Sequence, residues 1–214
     1  LQEFLTMLSQ DRHSSKHRPT IWMLLLEVVL IIIGVLLGLA ANQWRVARMD
    51  RTLAQDALRY IADEIRDNQT KVDSLIPYHT KVRDSIRELS ALNLRKKVEI
   101  SMTDLLKAMP KGFAVPLLET TGWQLANRTG AINHMDYELA VRLSKLYNLQ
   151  EFYQRKLDKI SDNLYIASNI DPNNFTPLTM ALTLLANDIV IQENRLSKFY
   201  ASILKRITFT SKGR

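Results

Sequence analysis

Between Ile21 and Ala41 the chain has one ionisable side chain, Glu27, among residues that are otherwise apolar or glycine. At about 1.5 Å per residue a helix over this stretch is about 31 Å long, the thickness of a bilayer hydrocarbon core of about 30 Å. The stretch predicts a transmembrane helix over residues 21–41. Trp22 and Trp44 lie near its two ends as interface anchors, with Arg18 and Arg45 beside them. It is too long for the apolar region of a signal peptide, and no small-residue cleavage site precedes the polar sequence, so it reads as an uncleaved anchor. Arg12, Lys16 and Arg18 on one side balance Arg45, Arg48 and Arg51 on the other, so charge leaves the orientation open. A short tail before a long domain is the usual arrangement for an N-terminal anchor. It predicts a bacterial inner-membrane protein with its N-terminus in the cytoplasm and its domain in the periplasm.

A carboxylate inside the bilayer costs roughly 2.5–3.5 kcal/mol on insertion scales unless it is protonated or paired. Glu27, Ile31, Gly34, Gly38, Ala41 and Asn42 recur at helical spacing, so the carboxylate and the small-residue motif Gly34-x-x-x-Gly38 share one stripe. Glycine is common in membrane helices and a carboxylate near a helix end can snorkel. With Glu27, Gly34, Gly38, Ala41 and Asn42 on one face, however, the pattern predicts a helix-packing surface.

The run EVVLIIIGVLLGLAANQW, carrying Glu27, Gly34 and Asn42-x-Trp44, resembles a widespread family of small bacterial single-pass membrane proteins of unknown function. The later run TGWQLANRTGAINHMDYELAVRLSKLYNLQEFY, with Trp123, Gly130 and Tyr147, is similar to a recurring segment of that family. The family pattern has Ala where this chain has Gly38, and an acidic residue soon after the Trp where this chain has Arg45, Val46 and Ala47. The resemblance implies a topology and a helical fold. It brings no activity and no catalytic residues.

The remaining sequence suits one helical domain over residues 42–214, with residues 1–20 as a tail. Cysteine is absent, which excludes disulfides, thiolate metal sites and a cysteine nucleophile. The net charge of +7 arises after the apolar stretch, since Arg12, Lys16 and Arg18 cancel Glu3, Asp11 and Glu27. Its Lys and Arg alternate with Asp and Glu along helical faces, as on a solvated surface. Zinc-finger spacing and RNP-like aromatics are missing, and Arg95, Lys96 and Lys97 make the one basic block, so nucleic acid is not expected as a partner.

Leu58, Ile61, Ile65, Val72, Leu75, Val82, Ile86 and Leu89 repeat at three and four, with Asn68 and His79 in the same seam. No Gly or Pro falls between Ala41 and Pro77, so the membrane helix is expected to continue into the domain and to bend near Pro77. Ser101 and Asp104 form a capping-box pattern for a short helix ending before Pro110, and another is expected from Leu117 to Asn127, stopping near Gly130. Leu139, Leu143, Leu146, Tyr153, Leu157, Ile160 and Leu164 predict a long helix from Asp136 to the Asn/Asp/Pro-rich stretch 169–174. Thr176 and Pro177 open a last one, with Leu178, Leu182, Leu185, Ile189, Leu196, Tyr200, Ile203 and Ile207 on its stripe. Leu1, Phe4, Leu5, Met7 and Leu8 suggest a short amphipathic helix in the tail. The fold class is therefore all-α: one N-terminal transmembrane helix continuing into an elongated soluble helical bundle.

Catalytic patterns do not emerge. His13, His17, His79 and His134 form no metal-ligand motif, and no phosphate loop, dinucleotide fingerprint or nucleophile elbow is present, so neither metal nor cofactor is expected. Asp63, Glu64 and Asp67 precede Arg66 and Lys71, which reads as ion pairing on a helix face. Trp123, Tyr137 and Tyr147 read as core aromatics, with a ligand pocket as the other possibility. The sequence predicts a non-enzymatic membrane scaffold or accessory subunit. Its partners would be membrane lipid and either further copies of itself or other integral membrane proteins. The alternative is a periplasmic sensor-like ligand-binding module that signals through a membrane partner.

Overall fold

In the computed structural model, residues 21–96, 100–167 and 176–212 are described. Among them no strand occurs, and the chain forms α1 (Ile21–Lys96), α2 (Met102–Ala108), α3 (Thr121–Arg128), a 3-10 turn (Ala131–His134), α4 (Tyr137–Ala167) and α5 (Thr176–Lys212). The all-α class follows from the helical repeats of the sequence. The amphipathic helix expected within residues 1–10 lies outside the described residues. Two compact units divide the chain, Leu1–Met49 and Asp50–Arg214.

In the first unit every described residue is exposed. The large apolar side chains from Ile21 to Leu39 are between 46% and 79% exposed, so nothing among the described residues covers them. A core helix of a soluble domain would have them buried. This is the one helix among the described residues that is long and apolar enough to cross a membrane.

In the second unit the predicted seams meet. Ile61, Ile65 and Val72 of α1 pack with Leu139, Leu143, Leu146 and Leu157 of α4 and with Ile189, Leu196 and Ile203 of α5, none more than 1% exposed. A second cluster, Val82 and Ile86 with Ile100, Leu105 and Leu182, seals α2 onto α1 and α5. The side chains of Ile160 and Leu164 lie outside the described set. At the start of α2 the capping box forms as read: the Ser101 hydroxyl accepts from the Asp104 N–H, and the Asp104 carboxylate accepts from the Ser101 N–H.

α1 continues through Pro77 to Lys96, as the seam reaching Leu89 requires. Proline deprives the Asp73 carbonyl of its helical donor, and Asp73 and Pro77 are both exposed, so water can take the donor's place. One boundary differs from expectation: α3 begins at Thr121 rather than Leu117. The Asn68 amide explains the delay, because it donates to the Glu119 carbonyl at 2.7 Å and accepts from the Glu119 N–H at 2.8 Å. Those are the groups a helical turn there would use. Beyond α3, Gly130 takes φ +74, a left-handed conformation that ends the helix and starts the 3-10 turn.

Candidate functional site

Glu27, Gly34, Gly38, Ala41 and Asn42 are all exposed on α1. A Cβ built on Gly34 or Gly38 would meet nothing within 4 Å. None of the described residues packs on this face. The anchors Trp22 and Trp44 are also exposed, at 79% and 66%, and the Arg48 guanidinium lies 5.6 Å from the Trp44 ring centroid, a cation–π distance.

Inside the second unit the helices share a polar seam. Glu64, read from the sequence as a surface ion pair, is buried instead. One carboxylate oxygen accepts from the Tyr147 hydroxyl at 2.5 Å and the other from the Gly122 N–H at 2.7 Å. Thr120 provides no side-chain cap for α3, so this carboxylate from α1 takes that role, where a helix N-terminus favours negative charge. The two backbones lie close at Gly122, where a Cβ would sit 3.5 Å from the Ile61 nitrogen, an ordinary contact distance. Lys71 pairs with Glu119 rather than with a neighbour on α1, while Asp63 does pair with Arg66.

One level along, the Gln150 side-chain oxygen accepts from Asn68 at 3.3 Å and from the Tyr200 hydroxyl at 2.7 Å. Beyond it lies Glu193, whose Oε1 is 2.7 Å from His79 Nδ1 and accepts from the Tyr153 hydroxyl at 2.7 Å. His79 and Glu193 are both fully enclosed, at 1% and 0% exposure. Burial holds the phenols of Tyr147, Tyr153 and Tyr200 above the usual tyrosine range, reinforced by Glu64 for Tyr147 and Tyr200 and by Glu193 for Tyr153. These hydroxyls therefore remain donors throughout the physiological range, Tyr147 and Tyr153 to the carboxylates and Tyr200 to the Gln150 oxygen.

Of the three aromatics singled out, Trp123 and Tyr147 stack with ring centroids 4.9 Å apart and pack on the core, whereas Tyr137 is 83% exposed and apart from them. His13 and His17 lie outside the described residues, and His134 sits 3.6 Å from Asp50. Among the described residues no group of three or more His, Cys, Asp or Glu could hold a metal ion.

Between α1 and α3 the surface opens into a groove of about 500 Å³. Leu53, Tyr60 and Leu125 give it an apolar floor, and Asp56, Asp63 and Asp67 stand along its α1 side. The sequence reading missed this groove because α3 comes from sequence far from α1 and only the fold brings them together. The buried Glu193 was also missed. The signal was present, since Glu193 fills the helical slot between Ile189 and Leu196, as Gln150 does between Leu146 and Tyr153. No family model, no curated protein and no solved structure matches this chain.

Replacing His79 with Leu leaves the enclosed Glu193 carboxylate without its imidazole, and the bundle should lose about 3–5 kcal/mol. Replacing both with Leu should return most of that loss, as urea unfolding followed by helical circular dichroism would show; an equal loss in the double variant would contradict the pairing. The tyrosines set the alkaline limit. Their folded values lie above the unfolded value of about 10, so their contribution is complete below that pH and falls as pH climbs past it. The final part of the phenolate absorbance should therefore rise together with loss of helix, whereas full absorbance from all seven tyrosines with the helices intact would refute it.

Proposed function

We propose that this chain is a non-enzymatic single-pass protein of the bacterial inner membrane, a scaffold or accessory subunit that assembles through α1 and its helical domain. It forms a homo-oligomer or enters a larger membrane complex. The observation that carries the reading is the complete exposure of α1 from Ile21 to Met49. Lipid suits the leucine, isoleucine and valine side chains of that surface, but not Glu27. A buried carboxylate costs roughly 2.5–3.5 kcal/mol, which a polar partner on a neighbouring helix removes. Gly34 and Gly38 on the same stripe allow such a helix to come close, and dispersion forces and interhelical hydrogen bonds then hold it.

In this reading the N-terminus is cytoplasmic and the bundle periplasmic, and the chain belongs to the single-pass family that its Glu27, Gly34 and Asn42-x-Trp44 pattern resembles. Trp22 and Trp44 fix the depth of the helix at the two head-group layers. The polar seam keeps the bundle in a single register, so that a bound neighbour meets a defined surface.

Gly34→Ile with Gly38→Ile, and separately Glu27→Leu, should reduce the size of the assembly extracted in mild detergent while helix content stays unchanged. Assemblies of unaltered size in all of these variants would remove the membrane face from the account.

A further inference from the structure

The groove between α1 and α3 differs in charge from the rest of the chain. The sequence holds 29 Lys and Arg against 22 Asp and Glu, yet five of the groove's lining residues are carboxylates and none is Lys or Arg; Glu64 is spent within the seam and Glu119 holds Lys71, which leaves Asp56, Asp63 and Asp67. Asp56, Asp63 and Asp67 follow one another at spacings of seven and four, so they form a ridge about 16 Å long on one face of α1. Next to them Tyr60 and Leu125 are 60% and 55% exposed. Such a wall repels anionic lipid and selects a cationic surface whose side chains also carry apolar length.

The outer face of α5 is a surface of that kind. Arg195, Lys198 and Lys205 are exposed there and form no ion pair among the described residues. Lys198 and Lys205 are seven apart, against four between Asp63 and Asp67, a difference of about 4.5 Å along the axes that the lysine stems can span. The buried seam also puts the two surfaces at one level. Gln150 bonds both Asn68 and Tyr200, and farther along α1 His79 meets Glu193, so α5 descends as α1 rises. Counted from Tyr200 or from Glu193, Lys205 lies between the levels of Asp63 and Asp67, and Lys198 lies one to two turns beyond Asp67.

We propose that the groove of one copy receives the outer face of α5 from a second copy, with Lys205 on Asp63 and Lys198 on Asp67. The proposal rests on the membrane-assembly reading, since copies anchored in one bilayer stand side by side and point the same way. The lysine stems cover Tyr60 and Leu125 while the ammonium groups reach the carboxylates. Asp63 already pairs with Arg66 and Asp56 with Arg59, but these exposed neighbours on one helix are weak pairs that exchange readily. Groove and ridge are different surfaces, so the contact is heterologous and repeats around a ring or along a row.

The chain has no cysteine, which permits a direct test on the full chain in lipid nanodiscs. One tagged copy carries Asp63→Cys and a differently tagged copy carries Lys205→Cys. Oxidation should link the two tags, whereas Glu88→Cys, about 37 Å farther along α1, should not link to Lys205→Cys. In parallel, Asp63→Lys with Asp67→Lys should lose the assembled species, and adding Lys198→Asp with Lys205→Asp should restore it. A 63–205 yield no higher than the control, or loss without restoration, overturns the contact alone when the wild-type chain assembles and Gly34→Ile with Gly38→Ile disperses it. A wild-type chain that stays monomeric overturns both the contact and the membrane-assembly reading.

Discussion

Two carboxylates inside the bundle, Glu64 and Glu193, must each be hydrogen-bonded, or the helices that enclose them cannot stay together. Glu64 joins α1 to α4 through Tyr147 and to the start of α3 through Gly122. Glu193 joins α5 to α1 through His79 and to α4 through Tyr153. Apolar contacts alone would tolerate a slip of one helix along another. These bonds do not, because a shift of one turn would strand a charge in the core. The seam acts more through register than through net stability, since a well-packed apolar core of the same volume can be as stable.

A bundle in fixed register holds its outer surfaces in fixed positions. The acidic wall of Asp56, Asp63 and Asp67 lies along α1, and Lys198 and Lys205 keep their level on α5 because Gln150 ties Tyr200 to Asn68. The exposed apolar length of α1 adds a second constraint, because it is long and apolar enough to cross a membrane. In the proposed membrane setting Glu27 is the one side chain that requires a polar neighbour. Both features underlie the proposed assembly.

Much of this architecture was legible in the residues. The apolar run from Ile21 to Ala41, the capping pair Ser101 and Asp104, and the three-four repeats of α1, α4 and α5 each rest on local spacing, and the structure follows them. The failures share one cause. Glu64 was read as a surface charge because its partners, Tyr147 and Gly122, lie 83 and 58 residues away. The late start of α3 depends on Asn68, 51 residues before Glu119. Local spacing cannot report a bond whose other half is supplied by tertiary packing. The groove was invisible for the same reason, as Leu53 and Leu125 share no sequence neighbourhood.

The most direct measurement is the native mass of the chain extracted from its own membrane in mild detergent, with every co-migrating protein identified. The account predicts one defined species heavier than a single chain, containing further copies or a fixed set of membrane partners. A species with the mass of one chain, extracted under conditions that keep other membrane complexes whole, would contradict it.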